Sequence, residues 1–377
     1  MAYIYTQFQD TREWHDLISE WKDAPQALEH VLSYNGNIDH DIFLGKRTTQ
    51  EIFWVQLQPF LYSRGYNLRP RYHPDWLPSW RNHTKPIQTL DEFEDSLAHI
   101  GTFMDATRIS DGSKVVIKIV QTRRKEIPIA QCLSSPEAMS DPRNHTIPIF
   151  DILPLPNDDS EALMIMPQVL HFDPPGLPFT RLGEFHEAVK QYIEGLEFMH
   201  QHRISHRDAC YFNLMMDISK VIPKGLHFMR PETHDGVTFG VEWKKRWSVR
   251  PVKYYYIDFG LSEHYPLDAP YETITGLNGQ DRTVPEHLLT SPYDPFKADV
   301  YQLGNVILHV VETYDGLDSF LPLGTAMTRT NPDDRPSPSE ALKMLKRFNW
   351  WVLRRRVRQK EFSLQEQPRL RFLGGDR

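Results

Sequence analysis

Apolar residues recur along this chain in two different periods, and the change between them divides it. Near the start, in TREWHDLISEW and APQALEHVLSY, they fall at mixed three- and four-residue spacing, which predicts two helices. A third helix has a visible beginning, because Thr48 followed by Glu51 reads as a capping box. Ile52, Phe53, Leu57, Phe60 and Leu61 then supply its apolar face, and Gly65 is the expected stop. In LRPRYHPDWLPSW, Pro70, Pro74 and Pro78 forbid a regular helix. Trp76 and Trp80 are costly to leave in water, so this segment is expected to strap across another surface.

From Thr89 the texture changes. FMDATRISDGSKVVIKIV predicts two strands joined by a turn at Asp111-Gly112, with Val115, Ile117 and Ile119 alternating. MIMPQV, residues 164–169, reads as another buried strand. From Gly183 onward helical patterns dominate, as in GEFHEAVKQYIEGLEFMHQH. A small strand-rich part therefore precedes a larger helical one, and no repeat of about 20–50 residues runs through either.

Composition narrows the function classes. Lysine and arginine number 43 against 50 acidic residues, a net charge of −7, so a nucleic-acid coat protein is excluded and no nucleic-acid partner is expected. With 40% apolar residues the chain can bury a substantial core, which excludes disorder throughout. Two cysteines, Cys132 and Cys210, rule out a disulfide-built scaffold and point to a reducing compartment, cytoplasmic or nuclear. The start has no basic region followed by an apolar run, so no signal peptide is expected. No stretch approaches the roughly eighteen apolar residues of a membrane-spanning helix.

The most specific chemical signal is SHRDACYFNLMMD, which holds His206, Arg207, Asp208 and, after four further residues, Asn213. YYYIDFGLS follows downstream with Asp258, Phe259 and Gly260. VVIK ends in Lys118 on a predicted strand, TVPEHL contains Pro285 and Glu286, ADVYQLG contains Asp299 and Gly304, and NPDDRPSPSEAL contains Arg335. Each alone is weak, but six in this order are hard to obtain by accident. Over about residues 95–350 the chain resembles the eukaryotic protein kinases. Through RPRYHPDWLPSW, DPRNHTIPI and YYYIDFGLSEHY it also resembles the divergent kinase-like proteins of mushroom-forming fungi.

That resemblance implies an α+β, two-lobed protein-kinase-like fold, with a small antiparallel-sheet lobe and a larger helical lobe. The expected division is a helical and Pro/Trp-rich extension over 1–90, a small lobe over 91–166, a large lobe over 167–350 and a basic tail over 351–377. It also implies ATP and Mg²⁺ as cofactors and transfer of the γ-phosphate to a hydroxyl, on a protein, as in serine/threonine kinases, or on a small molecule. The rival expectation is a pseudokinase, a nucleotide-binding interaction module without turnover. Phosphoryl transfer requires charge neutralisation and in-line positioning, which suits these residue types. By resemblance Lys118 contacts the α- and β-phosphates, Asp258 and Asn213 hold the metal, and Asp208 accepts the hydroxyl proton. Met166 closes the back of the adenine site, with Pro167, Gln168 and Val169 as the hinge. Pro167 has no N–H, so adenine must use neighbouring backbone.

Lys118 needs an anionic partner, and two glutamates compete. Glu126 opens KEIPIAQCLSS, where Ala130 and Leu133 follow at helical spacing, whereas Glu137 sits at the end of that segment after Pro136. A partner must project inward from a helix body, which favours Glu126. Further structural pairs follow from the resemblance: Glu286 with Arg335, and Asp299 with backbone N–H groups of the 206–208 loop.

The chain departs from the kinase pattern in several places. Of the phosphate-covering glycines only Gly101 falls in place. The usual catalytic-loop lysine is Cys210, which removes a positive charge and reads better as a packed thiol than a reactive one. NGQDR, residues 278–282, replaces the usual Gly-Thr pair before Glu286, and the stretch from Gly304 to Arg335 is short. An insertion over 218–253 predicts a partly basic loop or hairpin, with Lys244, Lys245, Arg246 and Arg250 as solvated charges or contacts for an acidic partner. In LKMLKRFNWWVLRRRVRQK, Leu342, Leu345 and Phe348 are expected to finish the last helix while the arginines stay in solvent.

Overall fold

A computed structural model describes residues 47–78, 101–156, 158–266, 275, 279–288 and 292–360. The two helices expected over 11–34, Trp80, and the tail beyond 360 lie outside the described residues. The fold is mixed α+β, with nine α-helices and antiparallel strand pairs among the described residues. The chain divides into two compact units: residues 1–112 with 226–241, and residues 113–225 with 242–377.

The first unit begins with α1 (Thr49–Ser63), followed by β1 (Tyr66–Leu68) and β2 (Phe103–Arg108). The capping box is present: the Thr48 N–H donates to Glu51 Oε2 at 2.6 Å, and the Glu51 N–H donates to Thr48 Oγ1 at 3.2 Å. Gly65 ends the helix at φ +91°, a conformation that favours glycine. The inward face differs from the expected one. Trp54, Leu57 and Leu61 are buried, while Ile52 points to solvent. Burial goes to the bulky indole because Trp54 removes more apolar surface from water than Ile52 would. Glu51 has a second task, since its Oε1 accepts from Nε of Arg71, which is also buried. Arg71 in turn lies over the Trp76 ring at 4.8 Å. The proline-rich segment thus packs against α1 as a strap, turning through a short 3₁₀ helix at Pro70–Tyr72. β1 and β2 pair antiparallel, with Asn67 opposite Thr107.

The second unit starts with β3 (Lys114–Gln121), α2 (Glu126–Leu133), α3 (Pro136–Ser140), β4 (Asp151–Leu155) and β5 (Asp158–Pro167). β5 pairs antiparallel with β3 on one side and β4 on the other, and Lys118 stands opposite Met164. The two predicted strands flank the turn at Asp111-Gly112, where Gly112 adopts φ +71°. After β6 (Leu170–His171) comes α4 (Leu182–Gln201), whose Phe185, Ala188, Val189, Tyr192, Leu196 and Met199 form one buried face at three- and four-residue spacing. Met199 closes this buried face near the helix end.

β7 (Ile204–Ser205) and β8 (Leu214–Met216) bracket the HRD loop, and α5 (Arg246–Val249) interrupts the insertion before β9 (Tyr254–Tyr256) and β10 (Glu263–His264). β6, β8 and β9 form a three-stranded antiparallel sheet, and β10 pairs with β7. α6 (Pro295–Thr313) is capped by the Asp294 carboxylate on the Phe296 N–H, and is followed by β11 (Tyr314–Asp315), α7 (Leu321–Met327), α8 (Pro338–Leu345), α9 (Trp350–Leu353) and β12 (Arg358–Gln359). Gly304 lets α7 approach α6 closely; a Cβ there would stand 2.6 Å from that of Met327.

Two expectations for charged segments are corrected. Arg246 is not a solvated charge: it is buried, donates to the Phe172 carbonyl at 3.0 Å and lies 4.4 Å from the centre of the Phe179 ring. Its planar cation can be enclosed by aromatic faces in a way an ammonium cannot. The C-terminal stretch is not one finishing helix. α8 stops at Leu345, Phe348 stacks on Phe320, and Arg358–Gln359 turns back to pair with β11. No described helix is long and apolar enough to cross a membrane.

The double role of Glu51 yields a graded prediction. Thr48→Ala removes only a cap and should cost about 1 kcal/mol. Glu51→Ala removes the cap and one member of a buried ion pair, and should cost about 3–5 kcal/mol. Urea unfolding followed by tryptophan fluorescence measures both; equal losses would show that Arg71 does not depend on Glu51.

Candidate functional site

The HRD loop is shaped by α6. Asp299, with no solvent exposure, accepts the His206 N–H through Oδ2 at 2.8 Å and the Arg207 N–H through Oδ1 at 2.7 Å. One helical turn on, Gln302 Oε1 accepts the Ala209 N–H at 2.8 Å. The loop backbone is thus bonded on both sides of Asp208 by side chains of a single helix. Fixing it this way holds Arg207 at φ +65°, a left-handed conformation that a bulky residue adopts only under constraint. His206 bridges to the neighbouring strand end, where its Nε2 meets the Ile257 carbonyl at 3.1 Å. The next residue, Asp258, also has a positive φ, +62°. Of the three non-glycine residues with positive φ among the described residues, two therefore flank the same cluster.

Asp208 is almost fully buried, and its carboxylate is surrounded by amide donors. Asn213 Nδ2 donates to Oδ2 at 2.9 Å, and the Gln280 N–H donates to Oδ1 at 2.8 Å. Burial pushes the Asp208 carboxyl above its ordinary range, while the Gln280 N–H favours the ionised form. Because Asn213 also spends Nδ2 on the Asp208 carbonyl, at 2.9 Å, its Oδ1 is the end free to accept a ligand. Cys210 is wholly buried beside Asp208, and burial together with that carboxylate drives its thiol well above the ordinary range. The packed-thiol reading of Cys210 fits this environment, since a thiol held protonated is a poor nucleophile.

On the strand side, Lys118 Nζ stands 2.6 Å from Glu126 Oε1 and 3.0 Å from Asp258 Oδ1. The partner alternative is resolved by position: Glu126 opens α2 and is buried, whereas Glu137 lies on α3 exposed to solvent. Burial opposes the Lys118 charge, but Asp258 and Glu126 outweigh it and hold the ammonium above its ordinary range. The Asp258 side chain keeps a solvent-exposed edge, yet the protein packed around it opposes its charge; Lys118 outweighs this, so the carboxyl falls below its ordinary range. Asp258 Oδ1 also accepts the Gly260 N–H at 3.2 Å, which leaves Oδ2 available. A side chain at Gly260 would come within 3.1 Å of Asp258 Oδ1, so a larger residue there would push that carboxylate aside by a few tenths of an ångström.

The remaining predicted residues are placed as follows. Met166 and Pro167 end β5 opposite Val116 and Val115. Gln168 spends its N–H on the Lys114 carbonyl at 3.1 Å, so Val169 carries the next backbone donor along this segment. Gly101 belongs to the first unit, on the turn before β2, where a Cβ would come within 3.5 Å of Gln50 Nε2. All the other predicted site residues belong to the second. Glu286 and Arg335 form the expected buried pair, bidentate at 2.6 and 2.7 Å. Arg335 also donates to the carbonyls of Arg329, Lys297 and Thr330, which satisfies all five of its N–H groups. Among the described residues, no group of three or more His, Cys, Asp or Glu side chains could hold a metal ion. Any cation here would rest on the mixed carboxylate and amide pair of Asp258 and Asn213.

Three contributors were missed by sequence reading. Gln302 had a signal, since it lies one helical turn after Asp299 and so shares its face. Gln280 stood in a segment noticed only for lacking a familiar motif. His171, on β6, supports the loop from beneath: its Nε2 meets the Tyr211 carbonyl at 2.8 Å and its Nδ1 accepts the Asp173 N–H at 3.2 Å. No local pattern announced it. The chain matches no family model and no curated protein.

Burial lowers the His171 pKa from 6.5 to about 4. An unfolded chain therefore takes up this proton below about pH 6.5, while the folded one refuses it until about pH 4. The contribution to stability is intact above that window and is lost as pH falls through it, with a slope of up to about 1.4 kcal/mol per pH unit. His171→Gln keeps a donor but cannot titrate, so it should remove that part of the slope in urea unfolding series from about pH 7 down to about pH 4. An unchanged slope would show that His171 is protonated in the folded protein.

Proposed function

We propose that this chain is an ATP-dependent phosphotransferase with a two-lobed, protein-kinase-like fold, transferring the γ-phosphoryl group to a hydroxyl. The observation that carries the reading is the convergence of Lys118, Glu126, Asp208, Asn213 and Asp258. The first two come from the β3–α2 region, Asp208 and Asn213 from one loop, and Asp258 from the end of β9. In this reading Lys118, kept charged by two carboxylates, binds the α- and β-phosphates, and Glu126 keeps it in place. Asp208 accepts the hydroxyl proton and orients the attacking oxygen. The free Oδ2 of Asp258 and Oδ1 of Asn213 are hard oxygen donors of the kind Mg²⁺ takes, and the ion supplies charge neutralisation on the phosphates. Met166 and the 167–169 segment line the adenine side, with the Val169 N–H as donor. The acceptor hydroxyl belongs to a protein or to a small molecule.

A second reading, a nucleotide-binding module without transfer, is favoured by Cys210. Its neutral, buried side chain stands where the kinase pattern has a lysine, so a positive charge is missing where charge moves during transfer.

One experiment separates the two. ATP with Mg²⁺ should stabilise the protein by about 2.7 kcal/mol at roughly one hundred times its dissociation constant, and Asp258→Ala should remove this effect. Equal stabilisation by ATP in EDTA overturns the metal-dependent reading. Asp208→Asn should keep nucleotide binding and lower transfer by roughly 10²–10⁴-fold. Metal-dependent ATP binding, with no transfer from the wild type to broad protein and small-molecule panels, decides for the second reading.

A further inference from the structure

Gln280 touches Asp208 twice. Its N–H donates to Oδ1 at 2.8 Å, and its side-chain Nε2 donates to Oδ2 at 3.2 Å. Oδ2 already accepts Asn213 Nδ2 at 2.9 Å. A carboxylate offers about four lone-pair positions. Both on Oδ2 and one on Oδ1 are therefore taken by amide donors, and one position on Oδ1 remains. The Cys210 thiol also interacts with this carboxylate, but a thiol is a weak donor that a hydroxyl displaces.

The approach of Gln280 is built into the chain. Gly279 adopts φ +82°, and a Cβ there would lie 2.7 Å from the Arg207 carbonyl and 2.8 Å from Asp208 Oδ1. Only glycine lets the segment settle this close. On the other side Asp281, fully buried, accepts Asn305 Nδ2 at 3.1 Å, and through its other oxygen the Thr283 N–H at 2.9 Å. Asn305 is on α6, the helix whose Asp299 and Gln302 hold the HRD loop. One rigid element thus places both the carboxylate and the amide that meets it.

We propose that Gln280 is a positioning residue: with Asn213 it holds the Asp208 carboxylate in one orientation and leaves a single acceptor position, on Oδ1, for the substrate hydroxyl. This rests on the phosphotransferase reading. It also accounts for how Asp208 is held without a cation at position 210, since neutral amides supply the donors instead.

The test uses the full chain and reads kcat and KM of phosphate transfer separately. Gln280→Ala should lower kcat about tenfold, the order of one hydrogen bond to a charged group, with ATP·Mg²⁺ affinity unchanged. The KM for the acceptor should stay as in the wild type, so the loss falls on kcat alone. Gln280→Glu has the same shape but lacks the donor, so its kcat should fall at least as far. A merely structural role would change stability and leave kcat of the folded protein in place, and that result overturns the inference. So does a rise in kcat on Gln280→Ala, which would show the contact blocking the hydroxyl. An arm independent of activity is amide exchange at Gln280, whose protection should fall in Asp208→Ala. Unchanged protection overturns the inference by itself. Absence of transfer from wild type and variants alike overturns the functional reading, and with it the role assigned to Gln280, even where the exchange result shows the contact to be real.

Discussion

The carboxylate of Asp299 is the contact on which the candidate site depends. It is completely buried, yet it accepts two backbone N–H groups and a histidine Nε2, so its charge is matched by donors on every side. Buried charge is tolerated only under such conditions. Because the two backbone donors belong to successive loop residues, satisfying Asp299 fixes the path of the chain through His206 and Arg207. Asp208 then has one direction in which to project. The left-handed conformation of Arg207 is the local cost, and it is offset by bonds that a relaxed loop would lose.

The electrostatics of the cluster follow from the same economy. Lys118 lies between two carboxylates, one buried on α2 and one exposed after β9. Among the described residues, no Lys or Arg reaches the Asp208 carboxylate at hydrogen-bond distance; amides and the Cys210 thiol surround it instead. Charge is therefore concentrated on the Lys118 side, and geometry on the Asp208 side.

Much of this is legible in the sequence. The Thr48–Glu51 cap needs only residues three apart, and the ends of the motif strands follow from alternation and from Gly and Pro. Glu126 could be preferred over Glu137 because helix position decides which way a side chain projects. What escaped was long-range. Gln280 and Gln302 are ordinary polar residues whose role appears only when α6 meets the loop. Arg246 read as solvated because its neighbours in sequence are basic, but its aromatic enclosure comes from residues more than sixty positions away. Helical spacing alone does not rank apolar candidates by size, so it does not announce that α1 buries Trp54 and exposes Ile52.

Arg335 has a consequence of a different kind. Its five N–H groups reach the 285–288 turn, the first turn of α6 and the 329–330 segment at once, so three pieces of chain share one residue's bonding capacity. Pieces joined in this way do not open separately: releasing any one leaves buried donors on Arg335 without acceptors. The first turn of α6 and the segments beside it should therefore behave as a single cooperative opening unit, whose rarest fluctuation exposes all three together. The slow breathing of this part of the protein is then governed by one guanidinium rather than by the helices that surround it.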